Sequence, residues 1–209
     1  MKTLISPSKT LNFDNNINCD ITSKCRLIDY TSELHKILIS YSKNDLKNLM
    51  NVSDKIAELN YNRFKTWEDP SNSKTSKQAI YAFKGDVYSG LDAESIEEDK
   101  FDYLQNSLRI ISGYYGLLRP FDQILPYRLE MGTKLENENG NNLYKFWGDK
   151  ITDVLNEDLD KNDIIVNLAS DEYFKSINRG KIKSKIITPV FKEFKNGLYN
   201  VIAIYAKKA

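Results

Sequence analysis

Apolar residues along this chain come in short runs that stop at small polar residues. Thr3–Ile5 is followed by Ser6-Pro7-Ser8-Lys9, and Leu108–Ile111 by Ser112-Gly113. Ile164–Val166 leads into Asn167-Leu168-Ala169-Ser170, and Ile186–Ile187 into Thr188-Pro189. Runs of this kind suit strands buried in a sheet. Leu198–Tyr205 alternates between two faces and reads as a further strand of the same sheet. Helical spacing appears elsewhere. Thr31–Tyr41 sets Leu34, Ile37, Leu38 and Tyr41 on one face. Asn44–Met50 and Ser53–Trp67 flank a tight connection, Ser95–Asn106 begins with acids as a helix N-terminus favours, and Asp171–Ser176 follows Ser170. Tyr144–Leu155 is amphipathic, with Phe146 and Trp147 as core residues. The predicted class is α/β: a mixed sheet surrounded by helices in an α+β-like arrangement. No Pro/Gly/Ser linker and no internal repeat divides the chain, so residues 1–209 are expected to form one compact domain.

In parallel or mixed sheets, ligands gather outside the carboxyl ends of the strands. Ser6, Ser112 and Ser170 would all sit at such ends, and Ser170 could cap the helix after it. Caps and turns explain any one of them. Three together point to a shared crevice.

Charge adds little at the level of the whole chain. There are 30 basic and 29 acidic residues, so the net charge of +1 does not mark a general polyanion binder. Any anion site must come from local asymmetry. Lys175–Lys185 carries five positive charges and no negative one, and Asp92–Asp102 carries six acids against Lys100. Each run also reads as a solvated face. His35 is the single histidine, and Cys19 and Cys25 are the two cysteines. One histidine rules out a two-histidine iron site, the cysteine pair makes no zinc site without further ligands, and with His35 in a helical pattern beside Leu34 and Ile37 no Ser-His-Asp triad is expected. No metal and no cofactor is expected. The opening MKTLISPSK has no apolar core of a signal peptide, and no apolar run approaches membrane length. A cytoplasmic protein without a membrane partner is the expectation.

Candidate chemistry concentrates between Ile80 and Lys134. Gly85, Gly90, Gly113, Gly116 and Gly132 stand beside Lys84, Arg109, Arg119, Arg128 and Lys134, with Tyr88, Tyr114, Tyr115 and Tyr127 among them. Glycines let backbone N–H groups approach a ligand, Arg and Lys answer phosphate or carboxylate, and tyrosines offer a flat face with a hydroxyl. The mixture describes either a cleft for a polyanion or nucleotide, or a set of turns with solvated charges. A second pattern lies at residues 46–59. Leu49, Val52, Ile56 and Ala57 fit the apolar anchors of a helix-hairpin-helix, with Asn51 and Ser53 where that motif usually has glycines. Such a hairpin offers N–H groups at a helix N-terminus to one nucleic-acid phosphate. Asn51 tolerates a left-handed turn and Ser53 can cap the second helix. A plain helical hairpin fits the same residues.

The segments ISPSKTL, SDKIAELNYNRF, AFKGDVYSGLDAE, LRIISGYYGLLRPFD, PYRLEMGTKL, LYKFWGDKIT, VNLASDEYF, ITPVFK and YAKKA occur in this order across nearly the whole chain. Together they strongly resemble the YaaA family of bacterial peroxide-stress proteins, long known as a domain of unknown function. The resemblance implies a mixed α/β fold unlike the common superfolds, with a positively charged cleft and a helix-hairpin-helix element. It implies DNA binding and protection against oxidative DNA damage, with low free intracellular iron as one route. It also implies relatives that continue several tens of residues past YAKKA. Direct peroxide chemistry is not expected, because that needs a reactive thiolate, haem or metal.

Two functions follow as expectations. In the first, the protein binds double-stranded or structured DNA through Lys9, Asn51, Ser53, Lys84, Arg119, Arg128, Lys207 and Lys208, and phosphate neutralisation dominates. In the second, the same cleft belongs to a base- or nucleoside-processing, glycosylase-like enzyme whose partner is nucleotide-like. Tyr88, Tyr115 and Tyr127 would stack a base, while Asn167 and Ser170, beside Ser6 and Ser112, would read its edge. Asp86 or Glu130 would be the acid–base group, and Lys9 or Lys84 an amine nucleophile. Convergence of these groups around a carboxylate favours the enzyme; an open basic groove favours binding alone.

Overall fold

The strand Lys2–Ile5 (β1) lies at the centre of a five-stranded sheet. The computed structural model describes residues 1–14, 17, 19–195, 197–201 and 207. Both neighbours of β1 run parallel to it: Leu4 faces Arg109 of Leu108–Ser112 on one side and Asn167 of Ile164–Asn167 on the other. Lys185–Ile187 extends the parallel set, and Gly116–Leu118 closes the opposite edge antiparallel. The sheet is therefore mixed, as the apolar runs predicted. Leu4, Ile110, Ile111 and Ile165 are fully buried, which is why strands from distant parts of the chain stack with few polar positions. Because the three central strands share a direction, their carboxyl ends open at one edge. Ser6 and Ser170 meet there, the Ser170 N–H donating to Ser6 Oγ at 2.9 Å.

Two glycines shape that edge. Gly116 has φ +74°, and a Cβ there would lie 2.6 Å from Leu27 Cδ1, so only glycine closes the tight return after Ser112. A Cβ on Gly113 would lie 2.3 Å from the Leu129 carbonyl oxygen. The segment around Leu129 thus rests on the strand end, and this contact places Arg128 and Glu130.

Helices α1 (Ile28–Leu38), α2 (Lys43–Met50) and α3 (Asp54–Lys65) follow β1 and its loop. α2 starts in a reciprocal cap: the Asp45 N–H donates to Ser42 Oγ and the Ser42 N–H to the Asp45 carboxylate. One hydrophobic cluster runs from Leu4 to Ile177 and holds Trp147 and Phe146 as expected.

Three elements differ from the sequence expectation. Tyr144–Leu155 is not one helix but two, Leu143–Trp147 and Lys150–Glu157, because Gly148 adopts φ +49° between them. Ser95–Asn106 is not one helix: Ser95 closes a 3-10 turn from Ala93, Glu98–Lys100 forms a second, and only Phe101–Ser107 is α-helical. Leu198–Asn200 pairs with Glu193–Lys195 in a hairpin outside the main sheet; residues 202–206 lie outside the described set. Alternation alone carries no information about which neighbour a strand takes. Among the described residues no helix is long and apolar enough to cross a membrane.

Candidate functional site

A groove of about 940 Å³ opens between the α2–α3 hairpin and the loops at the carboxyl edge of the sheet. Tyr41, Asp45, Asn48, Leu49, Met50 and Asn51 form the hairpin wall. Lys9, Arg128, Glu130, Gly132, Thr133, Lys134 and Glu172 form the other.

Asn51 ends α2 in the left-handed region, φ 49° and ψ 57°. The Val52 N–H reaches back to the Lys47 carbonyl at 3.2 Å, so the turn satisfies the last carbonyls of α2. Ser53 occupies the N-cap backbone position of α3, but its side chain makes no capping hydrogen bond. Asn51 thus takes the left-handed conformation that asparagine tolerates, in a turn that a plain helical hairpin also uses.

On the opposite wall Glu130 sits between two cations. Its Oε2 lies 2.7 Å from Lys9 Nζ and its Oε1 3.1 Å from Arg128 Nη2. Lys9 is largely exposed and Arg128 mostly covered, so Arg128 is fixed and Lys9 is free to swing. The other acids of the groove are also engaged. Glu172 Oε1 accepts the Gly132 N–H at 2.9 Å, and Asp45 is spent on the α2 cap. Hydrogen bonds from the Ser42 hydroxyl and N–H hold the Asp45 carboxyl below its ordinary range. Lys134 is exposed on the groove wall and forms no ion pair among the described residues. Lys9, Arg128 and Lys134 balance Asp45, Glu130 and Glu172, so the groove is rich in charge without a strong net sign.

Other predicted site residues lie elsewhere. Lys84 pairs with Glu94 at 3.0 Å, not with Asp86. Asp86 opens the short helix Asp86–Leu91 and does not line the groove. Arg119 is committed to the fully buried Asp122, at 2.9 Å, and to the Lys24 carbonyl, at 3.0 Å. Tyr88, Tyr115 and Tyr127 are 6%, 0% and 5% exposed. Their hydroxyls serve the core: Tyr88 donates to the Ser6 carbonyl, Tyr115 to the Leu125 carbonyl, and Tyr127 shares a 2.7 Å hydrogen bond with Ser112. Burial pushes all three phenols well above their usual range. None of the three lines the groove; Tyr127 lines a separate narrow crevice with Lys9, Arg128 and Glu130. Ser112 is fully buried and also accepts the Tyr115 N–H; Asn167 is buried and accepts the Ala169 N–H. Lys207 is exposed, and Lys208 lies outside the described residues.

The structure thus brings together Lys9, Asn51, Arg128 and Glu130 of the predicted set. Lys134, named among the candidate cations, also lines it, as do Tyr41, Asp45, Asn48, Met50 and Glu172, which were not singled out as site residues. The Ser42–Asp45 cap was legible as Ser followed three residues later by an acid. Tyr41 read as a helical core position, and Glu172 reaches the groove only through tertiary packing. Among the described residues no group of three or more His, Cys, Asp or Glu could hold a metal.

A profile of the family described as peroxide stress protein YaaA matches residues 1–209. This chain belongs to the YaaA family. It is similar along its whole length to curated relatives named UPF0246 proteins. It is 50% identical over 209 residues to one from Marinomonas sp., covering 80% of that protein. It is 49% identical over 211 residues to one from Shewanella pealeana and 47% identical over 211 residues to one from Teredinibacter turnerae, covering 82% of each. In this YaaA-family chain the wall of the groove that carries Lys9, Arg128, Glu130 and Lys134 comes from two of the segments that carried the resemblance, ISPSKTL and PYRLEMGTKL, whereas the hairpin wall from Tyr41 to Asn51 lies outside them.

Proposed function

We propose that this protein binds DNA through the groove and acts in this way under peroxide stress. The observation that carries the reading is the meeting of the left-handed Asn51 hairpin with Lys9, Arg128 and Lys134 across one groove. The hairpin wall ends at the Asn51 turn, and the opposite wall sets Lys9, Arg128 and Lys134 beside Glu130 and Glu172, so cations in reach of a phosphate carry the binding. Glu130 orients Arg128 and parks the exposed Lys9, which can leave its half-buried partner for a phosphate at little cost. Affinity should fall steeply with salt, and Arg128→Ala or Lys134→Ala should each reduce the log–log slope by roughly one and weaken all sequences alike. Fluorescence anisotropy with a labelled duplex across a salt series measures this. Unchanged affinity in Lys9→Ala/Arg128→Ala would remove the groove as the DNA site.

A base-processing enzyme is the second reading, favoured by the carboxylate of Glu130 held against the amine of Lys9 at 2.7 Å. Asp86 drops out of that reading because it lies off the groove. Incubation with oxidised duplex, followed by mass spectrometry for released base, separates the two.

A further inference from the structure

The tyrosines of the Gly/Tyr/Arg stretch form a buried cluster that the groove does not use. Tyr114, Tyr115 and Tyr127 have ring centroids 5.0 to 5.3 Å apart, and none is more than 5% exposed. Phenylalanine would fill the same space without hydroxyls that need partners. The three hydroxyls end on different chemistry. Tyr115 meets the backbone of Leu125 and the Trp67 indole N–H, and Tyr127 meets Ser112. A carbonyl or a serine hydroxyl cannot keep a proton. Tyr114 instead meets Nδ1 of His35, the single histidine, at 3.3 Å. Imidazole can keep one. Burial lowers the His35 pKa, so the ring is neutral and Nδ1 accepts when Nε2 carries the hydrogen. Burial also pushes the Tyr114 phenol well up, so it does not ionise unaided.

Trp67 completes the set. Its half-buried ring lies against His35, tilted by 33° with centroids 4.6 Å apart, and meets Tyr114 edge-on at 6.0 Å. The path from solvent to the buried phenol is therefore continuous ring contact.

We propose that Trp67, Tyr114 and His35 form a one-electron relay that takes an oxidising equivalent from a radical oxidant at the surface and holds it on Tyr114. Trp67 gives one electron to the oxidant and becomes an indole radical cation. Tyr114 gives one electron to Trp67 while its O–H bond breaks and the proton passes to His35 Nδ1. The oxidant is reduced by one electron, Tyr114 becomes a neutral phenoxyl, and His35 becomes imidazolium. A small reductant of the thiol or enediol class then returns an electron, and His35 returns the proton. Tyr115 and Tyr127 do not end the relay, because neither has a base.

The test oxidises the intact protein with flash-generated ruthenium(III) tris-bipyridine and follows the phenoxyl by absorbance and high-field electron paramagnetic resonance. Tyr103→Phe/Tyr199→Phe is the background, since those rings are 65% and 69% exposed and would react on their own. A hydrogen-bonded phenoxyl signal should form and be lost in Tyr114→Phe. His35→Gln keeps an acceptor oxygen but no base, and should slow its formation by about 100-fold, the low end of what a positioned base contributes. Should Tyr114→Phe fold poorly, 3-fluorotyrosine at position 114 keeps the hydroxyl and should add a fluorine splitting to the signal. The same signal and rate in Tyr114→Phe, an unchanged rate in His35→Gln, or no fluorine splitting would each overturn the relay.

Discussion

Two carboxylates in this molecule each hold two cations, and they are built for opposite ends. Asp158 accepts Arg26 through both oxygens, at 2.9 and 2.8 Å, and Arg109 Nε at 2.6 Å. The Arg109 side chain is 3% exposed and gives further hydrogen bonds to the Gln105 and Leu108 carbonyls. This knot ties the strand Leu108–Ser112 to the end of the helix Lys150–Glu157 and to the segment before α1. Glu130 holds Lys9 and Arg128 at the groove, where the Lys9 side chain is 62% exposed. The charge count is the same, and burial decides the difference. A desolvated guanidinium has nowhere else to go, whereas an exposed ammonium exchanges partners readily. One cluster is therefore structural and the other is available to a ligand.

Removing Asp158 should have the largest effect. Asp158→Ala leaves two covered guanidiniums without their carboxylate and should cost about 3–5 kcal/mol, read from urea melts. A loss below about 1 kcal/mol would mean that the two clusters do not differ as burial says. Acid tests the same knot. Burial alone would raise the Asp158 pKa, but the hydrogen bonds from Arg109 and Arg26 more than reverse this and hold it below the ordinary value. The unfolded chain therefore binds that proton first as pH falls. The contribution is complete above the ordinary carboxylate range and is lost as pH drops through the lowered folded value. Asp158→Asn should flatten the dependence of Tm on pH over that acidic window.

Gly113→Ala should come next. Its Cβ would meet the Leu129 carbonyl, a backbone atom that cannot rotate away. The expected cost is about 1–3 kcal/mol. The variant should also weaken DNA binding, because the displaced segment carries Arg128 and Glu130. Loss of stability with affinity kept would show that the groove wall does not depend on this contact.

What the sequence revealed, and what it hid, follows the same division between local and tertiary causes. The strand ends at Ser6, Ser112 and Ser170 were legible because runs and stops are local, but the shared crevice was not: Ser6 and Ser170 meet, Ser112 is buried against Tyr127, and none of the three lines the groove. The left-handed turn at Asn51 was legible from the hairpin spacing. The tyrosines were not. Gly, Tyr and Arg in alternation look like loop chemistry, yet Tyr88, Tyr115 and Tyr127 turn inward because each hydroxyl finds a buried partner. No local pattern announces that partner. Lys84 likewise reaches Glu94 across the turn of the short helix rather than its neighbour Asp86. Asp45 and Glu172 come to face one groove only when the α2–α3 hairpin and the helix Asp171–Phe174, which packs on the strand Leu108–Ser112, are in place.

Glu130→Gln should have the smallest effect on stability and the most to say about function. The pair with Lys9 is exposed, so the fold should lose no more than about 1 kcal/mol. Gln keeps an oxygen for Arg128 Nη2 while removing a negative charge from the groove wall. A phosphate approaching Lys9 then meets less repulsion, and duplex affinity at low salt should rise by up to about fivefold, the equivalent of about 1 kcal/mol. The rise should vanish at high salt, where the lost charge is screened. A fall in affinity would mean that the full charge of Glu130 is needed to aim Arg128, and that the groove cluster is as structural as the one at Asp158. Unchanged affinity together with loss of turnover on an oxidised base would instead make Glu130 the acid–base group of an enzyme. Anisotropy titrations of both proteins at two salt concentrations, beside the base-release assay, distinguish the three outcomes.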